Sequence, residues 1–143
     1  MKNIQNSDLK HINTWLFDLD NTLYPATSRL FDQIDVRIGR YIADFLNINE
    51  SEARVIQKTF FREHGTTLRG LMNQYDITPI DFLNYVHDID FSILKSNEAL
   101  DKALNALPGR KLIFTNADVP YSEKILSRLG ISHHFETIYD IVA

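Results

Sequence analysis

Two carboxylates stand two residues apart in Asp18-Leu19-Asp20-Asn21-Thr22, directly after the apolar run Thr14-Trp15-Leu16-Phe17. A short apolar run rich in aromatics reads as a buried strand, and the acidic-polar cluster as the loop at its carboxyl end. Ligands of open parallel sheets bind outside the carboxyl ends of the strands. There the two carboxylates can divide the work. One can be a nucleophile and metal ligand, the other a general acid and then a base. A bare Asp-x-Asp is also common as a solvated turn or helix cap. Its position after an apolar strand, followed by Asn-Thr-Leu, favours catalysis. A second run, Lys111 to Phe114, ends in Thr115-Asn116-Ala117-Asp118 just before a helix. A hydroxyl, backbone N–H groups and the helix dipole together suit a phosphate oxygen. An ordinary strand-to-helix turn has the same composition. The match to the aspartate pair, at the end of a neighbouring strand, gives Thr115 and Asn116 their weight.

The elements that must position these residues fall into two kinds. Between Pro25 and Asp90 there is almost no β signal. Leu30, Phe31, Ile34, Ile38, Tyr41, Ile42, Phe45 and Leu46 follow helical spacing. Asn49 with Glu52 caps a second helix carrying Val55, Ile56, Thr59 and Phe60, ended by Gly65. A third carries Leu68, Leu71, Met72 and Tyr75. Thr78-Pro79-Ile80-Asp81 is a capping box for a fourth, backed by Phe82, Leu83 and Val86. After this helical stretch, Asn97 caps a helix to Leu107, and Pro108-Gly109 turns into the second strand. Asp118 caps a helix that Gly130 stops, and Thr137 to Val142 is a third strand. Strand, helix, strand, helix, strand implies parallel pairing with right-handed crossovers. The fold class is therefore α/β: a Rossmann-like parallel sheet, incomplete, with a four-helix cap inserted after the first strand. The boundaries are a polar leader at 1–13, the sheet domain at 14–24 and 96–143, and the cap at 25–95.

Composition narrows the function classes. With 44% hydrophobic and 24% charged residues the chain is globular, not a disordered tail or coiled coil. The net charge of -4 and the absence of any Lys/Arg run argue against nucleic acid as a partner. Zero cysteines exclude disulfides, zinc-thiolate sites and Cys nucleophiles. No apolar stretch approaches the roughly 20 residues of a membrane span, so no membrane partner is expected and the location expected is the cytoplasm. His133-His134 has no partner at metal-ligand spacing and reads as a loop before the third strand. Arg62 and His64, near Gly65-Thr66-Thr67, either line a substrate face of the cap or end a helix in solvent.

Phe17-Asp18-Leu19-Asp20-Asn21-Thr22-Leu23-Tyr24-Pro25 resembles the first motif of the haloacid dehalogenase-like hydrolase superfamily. Ile113-Phe114-Thr115-Asn116-Ala117-Asp118 resembles its second. Tyr24-Pro25, the cap string Glu63-His64-Gly65-Thr66-Thr67-Leu68-Arg69-Gly70-Leu71, and Leu129-Gly130-Ile131 are similar to the pyrimidine 5′-nucleotidase-like branch. The resemblance covers nearly all of the chain after the leader. It implies a Mg²⁺-dependent phosphomonoesterase acting on a small-molecule nucleotide, a nucleoside 5′-monophosphate. Asp18 would be the nucleophile that forms an aspartyl-phosphate. Asp20 would protonate the leaving alkoxide and then activate water. Mg²⁺ would sit between the Asp18 carboxylate and the Asp20 backbone carbonyl. Thr115 and Asn116 would bind the phosphate, and His64 and Thr67 would face the substrate from the cap.

The resemblance also implies two later motifs, a lysine and one or two acidic residues, after the third strand. The sequence ends at Ile141-Val142-Ala143. The expectation is that this chain alone is inactive and poorly stable, as a truncated fragment or as one half of a split hydrolase. A phosphate-binding or regulatory module is a further reading. Trp15-Leu16-Phe17 and Leu112-Ile113-Phe114 are apolar at every position, as in strands buried on both faces. Both crossover helices are nevertheless expected on one face.

Overall fold

A computed structural model of the chain describes residues 9–141. Most of the leader expected at 1–13, and the last residue of the third strand expected to reach Val142, lie outside the described residues. Three strands, β1 (Thr14–Phe17), β2 (Arg110–Phe114) and β3 (Thr137–Tyr139), form one parallel sheet in the order β1-β2-β3. Phe17 stands opposite Ile113, and Phe114 opposite Tyr139. Six α-helices accompany them: α1 (Leu30–Leu46), α2 (Glu50–His64), α3 (Thr67–Gln74), α4 (Pro79–Val86), α5 (Glu98–Ala106) and α6 (Val119–Leu129). The architecture is α/β, with the parallel sheet of a Rossmann-like fold. No described helix is long and apolar enough to cross a membrane.

The chain divides into two compact units. One comprises residues 25–93 with α1 to α4, and the other the remainder with the sheet, α5 and α6. In the sheet unit the register sorts side chains by face, because alternate residues of a strand point to opposite sides. Trp15, Phe17, Lys111, Ile113 and Ile138 share one face, and the ring of Phe17 meets that of Phe135 edge-on at 5.7 Å. Ile113 is fully buried there. On the other face Leu16 and Phe114 are each 64% exposed, and Tyr139 is 46% exposed. The expectation of strands buried on both faces is thus corrected for Leu16 and Phe114. Parallel neighbours in the order β1-β2-β3 with the usual right-handed crossovers call for α5 and α6 on one side, and Leu104, Ile125 and Leu129 of these helices are buried.

The helix starts follow local chemistry. Asn49 and Glu52 complete a reciprocal capping box on α2. The Asn97 side chain accepts from Leu100 N, and Asp118 from Tyr121 N. Thr78 is the N-cap residue of α4, but its hydroxyl makes no cap bond. The box expected there is not formed: Asp81, one methylene shorter than Glu, does not reach back to close it.

The helical unit departs from the simple apolar stripe. On α2 the buried residues are Ala53 and Gln57, while Val55 is 67% exposed. Met72 and Tyr75 of the α3 region are also exposed. The reason is a polar hub. Gln57 Nε2 donates to Asp35 Oδ1 at 2.7 Å, and Thr67 Oγ1 donates to the Gln57 carbonyl at 3.1 Å. One side chain thereby ties α1 to α2, and its own backbone ties α2 to α3. Gly70 lets α3 press close against α2, since a Cβ there would lie 2.5 Å from Phe60 Cβ. Gly70→Ala therefore forces two helices apart, at a cost of about 1–3 kcal/mol. That outweighs the gain in helix propensity of up to about 1 kcal/mol. Chemical denaturation should give a lower midpoint for the variant, and an unchanged midpoint would contradict this packing.

Candidate active site

An open cleft of ≈ 240 Å³ lies at the carboxyl ends of β1 and β2, lined by Leu16, Phe17, Asp18, Phe114, Thr115 and Asn116. It gathers Asp18 with Thr115 and Asn116, as the sequence leads one to expect of two neighbouring strand ends. The loop after β1 is built on Leu19, which is fully buried. Its carbonyl accepts from both Thr22 N and Leu23 N, and Asn21 takes a positive φ of 58° between them. Asn tolerates that conformation better than most residues. Leu19 points inward, and the carboxylates on either side of it differ in burial. Asp18 is exposed at the cleft and Asp20 is partly buried beside it.

Each carboxylate is held by a hydroxyl four residues further on. Thr22 Oγ1 donates to Asp18 Oδ2 at 2.9 Å. Tyr24 Oη donates to Asp20 Oδ1 at 2.6 Å, and Tyr121 Oη, from the first turn of α6, reaches the same oxygen at 2.6 Å. Both tyrosines are buried, at 1% and 2% exposure. Burial first, and the Asp20 charge second, push both phenols well above their ordinary value of 10.0. They remain donors throughout the physiological range. Hydrogen bonds to a charged group contribute about 1.5–3 kcal/mol each.

Thr115 is buried, and its hydroxyl accepts from Ala117 N at 3.1 Å. Its own proton remains to be donated to a ligand oxygen. The α6 N-terminus is less open than its sequence implies. Asp140, just beyond β3, accepts from Val119 N at 3.1 Å, Pro120 has no N–H, and Asp118 takes Tyr121 N at 3.0 Å. The leading amides of α6 are thus committed to two aspartates. An anion in the cleft would meet the Thr115 hydroxyl and Asn116, which is exposed and makes no hydrogen bond among the described residues, rather than the helix amides.

The remaining candidates belong to the helical unit. His64 Nδ1 lies 3.1 Å from Asn73 Nδ2, and Arg62 is exposed. Thr67 is buried, with its hydroxyl on the Gln57 carbonyl. Four participants escaped the sequence reading: Thr22, Tyr24, Tyr121 and Asp140. The first two carried a signal, a hydroxyl at i+4 from each aspartate.

Comparison with known proteins finds a distant similarity. The chain is 26% identical over 136 residues to Phosphate metabolism protein 8 of Saccharomyces cerevisiae. The match covers 87% of this chain and 42% of that protein, so the chain spans less than half the length of the curated relative. No protein-family model matches the chain.

The tyrosine pair predicts an alkaline signature. In the unfolded chain both phenols ionise near pH 10, whereas in the folded chain they hold their protons to higher pH. Their contribution is complete below about pH 10 and is lost as pH rises through the raised values. Tyr121→Phe should melt lower than the parent at neutral pH and lose less of its melting temperature between about pH 9 and pH 11. Identical slopes for the two proteins would contradict the clamp.

Proposed function

We propose that the cleft binds the phosphoryl group of a phosphomonoester, and that the chain carries the nucleophile of a Mg²⁺-dependent hydrolase acting through an aspartyl-phosphate. The observation that carries this reading is the meeting of Asp18, Thr115 and Asn116 in one cleft at two parallel strand ends. A second carboxylate, Asp20, is fixed two residues away by two buried hydroxyls. The distant similarity to a yeast protein named for phosphate metabolism supports a phosphoryl ligand. The substrate class proposed is a nucleoside 5′-monophosphate, with a pyrimidine base by motif resemblance. The helical unit is assigned the choice of nucleoside in this reading, with His64 the residue to vary.

A carboxylate oxygen of Asp18 attacks phosphorus while Thr115 and Asn116 hold the phosphoryl oxygens. The ester P–O bond breaks as Asp20 gives its proton to the departing alkoxide. Water then delivers a proton to Asp20 and its oxygen to phosphorus, which releases phosphate and restores Asp18. Thr22 keeps the nucleophile turned, and the two tyrosines keep Asp20 in place. The Asp18 carboxylate and the Asp20 backbone carbonyl are hard oxygen donors that suit Mg²⁺. When bound, it neutralises charge on the phosphoryl oxygens.

A second reading, a part of a split hydrolase or a fragment without activity of its own, is favoured by the exposure of Leu16 and Phe114 beside Asp18. Phosphate release from an aryl phosphate and from pyrimidine monophosphates, with Mg²⁺, separates the two. Under the first reading Asp18→Asn abolishes turnover at an unchanged melting temperature. Asp20→Asn lowers it by about 10²–10⁴-fold on a nucleotide, whose leaving group needs a proton, and by much less on an aryl phosphate. A folded chain with no turnover on either substrate supports the second reading. Turnover that survives Asp18→Asn overturns the mechanism.

A further inference from the structure

We propose that Asp101, His133 and His134 form a binding site for a transition-metal dication of the Zn²⁺ class, separate from the Asp18 cleft. The sequence gives His133-His134 no partner at ligand spacing, and the fold supplies one. Asp101 lies in the first turn of α5, and the histidines lie in the 3-10 turn Ser132–His134 that leads to β3. His134 Nε2 is 2.6 Å and His133 Nε2 3.1 Å from the same oxygen, Asp101 Oδ1.

Consecutive residues of a strand point to opposite faces. The 3-10 turn instead brings both rings to one side, with centroids 4.0 Å apart. One donor atom from each of the three residues falls within 4.8 Å of the other two. Tetrahedral Zn²⁺ holds N and O ligands at about 2.0–2.2 Å, which places neighbouring ligand atoms about 3.3–3.6 Å apart. The two distances to Asp101 Oδ1, 2.6 and 3.1 Å, are shorter than that spacing, so a rotation that moves the rings outward by up to about 1 Å seats an ion. His134 is nearly buried, its side chain 7% exposed, which gives the site one preset ligand. His133 and Asp101 are 65% and 42% exposed, which gives an ion an entry path and water for a fourth position.

The proton balance is simple. Each neutral imidazole moves its remaining proton to Nδ1 and offers the Nε2 lone pair to the metal. Two imidazoles with one carboxylate favour Zn²⁺ and its neighbours over Mg²⁺, which prefers oxygen alone. The two sites are spatially distinct. Asp18 follows the last residue of β1, whereas His134 precedes the first residue of β3, so they flank opposite ends of a parallel sheet.

The test is calorimetric titration of the untagged, chelator-treated chain with Zn²⁺, paired with the visible spectrum of the Co²⁺ form. The expected result is one ion per chain, tetrahedral Co²⁺ bands, a melting temperature that rises with Zn²⁺, and no competition from Mg²⁺. Loss of a second-shell partner weakens metal binding by about 10–100-fold, so loss of a direct ligand should weaken it by more. Asp101→Asn and His133→Ala, both at partly exposed positions, should each do so while melting normally without metal. His11→Ala should bind as the parent does. No saturable binding below about 1 mM Zn²⁺, or binding that survives both variants, would overturn the proposal and leave the cluster a structural tie between α5 and the turn.

Discussion

The fully buried Leu19 side chain fixes where the carboxylates on either side of it stand. Its carbonyl closes the turn by accepting two amides, and Asn21 supplies the left-handed residue that the turn needs. Asp18 then emerges at the cleft, and Asp20 meets the hydroxyls of Tyr24 and Tyr121. Tyr121 comes from α6, so the loop after β1 is latched to the helix after β2. That latch brings the ends of the two strands into one chemical unit.

Charge is distributed unevenly around the sheet. Asp18, Asp20, Asp118 and Asp140 cluster where the strands end. The basic residues of β2 sit at its start, where Arg110 pairs with Glu136 and Lys111 Nζ reaches the Gly109 carbonyl. Two of the four aspartates are committed to α6 amides. This arrangement disfavours an approaching phosphate dianion unless a cation accompanies it, which agrees with the Mg²⁺ of the proposed chemistry.

Much of this was legible in the sequence because it is local. The end of β1 and the caps at Asn49, Asn97 and Asp118 each depend on a few consecutive residues. So does the stop at Gly130, while the parallel order of the strands follows from the alternation of strands and helices along the chain. The site was half legible on the same grounds. Asp18, Asp20, Thr115 and Asn116 announce themselves at strand ends, and Thr22 and Tyr24 could have been found by asking which hydroxyls lie one helical turn beyond each aspartate. The contacts that were missed span long separations. Tyr121 meets Asp20 across 101 residues, and Asp101 meets His134 across 33. Nothing in the spacing of either member points to the other. Gln57 defeated the apolar-stripe reading of α2 for a related reason, since a polar residue is buried there by its bond to Asp35.

The central claim is that the ends of β1 and β2 form a phosphoryl site centred on Asp18. Amide NMR of the chain titrated with inorganic phosphate in the presence of Mg²⁺ tests it most directly, because it needs no turnover. The account predicts saturable shifts concentrated at Asp18 to Thr22 and at Thr115 to Ala117, absent in Asp18→Asn. Saturable shifts centred elsewhere, or no shifts in these two segments at saturating phosphate, would contradict it.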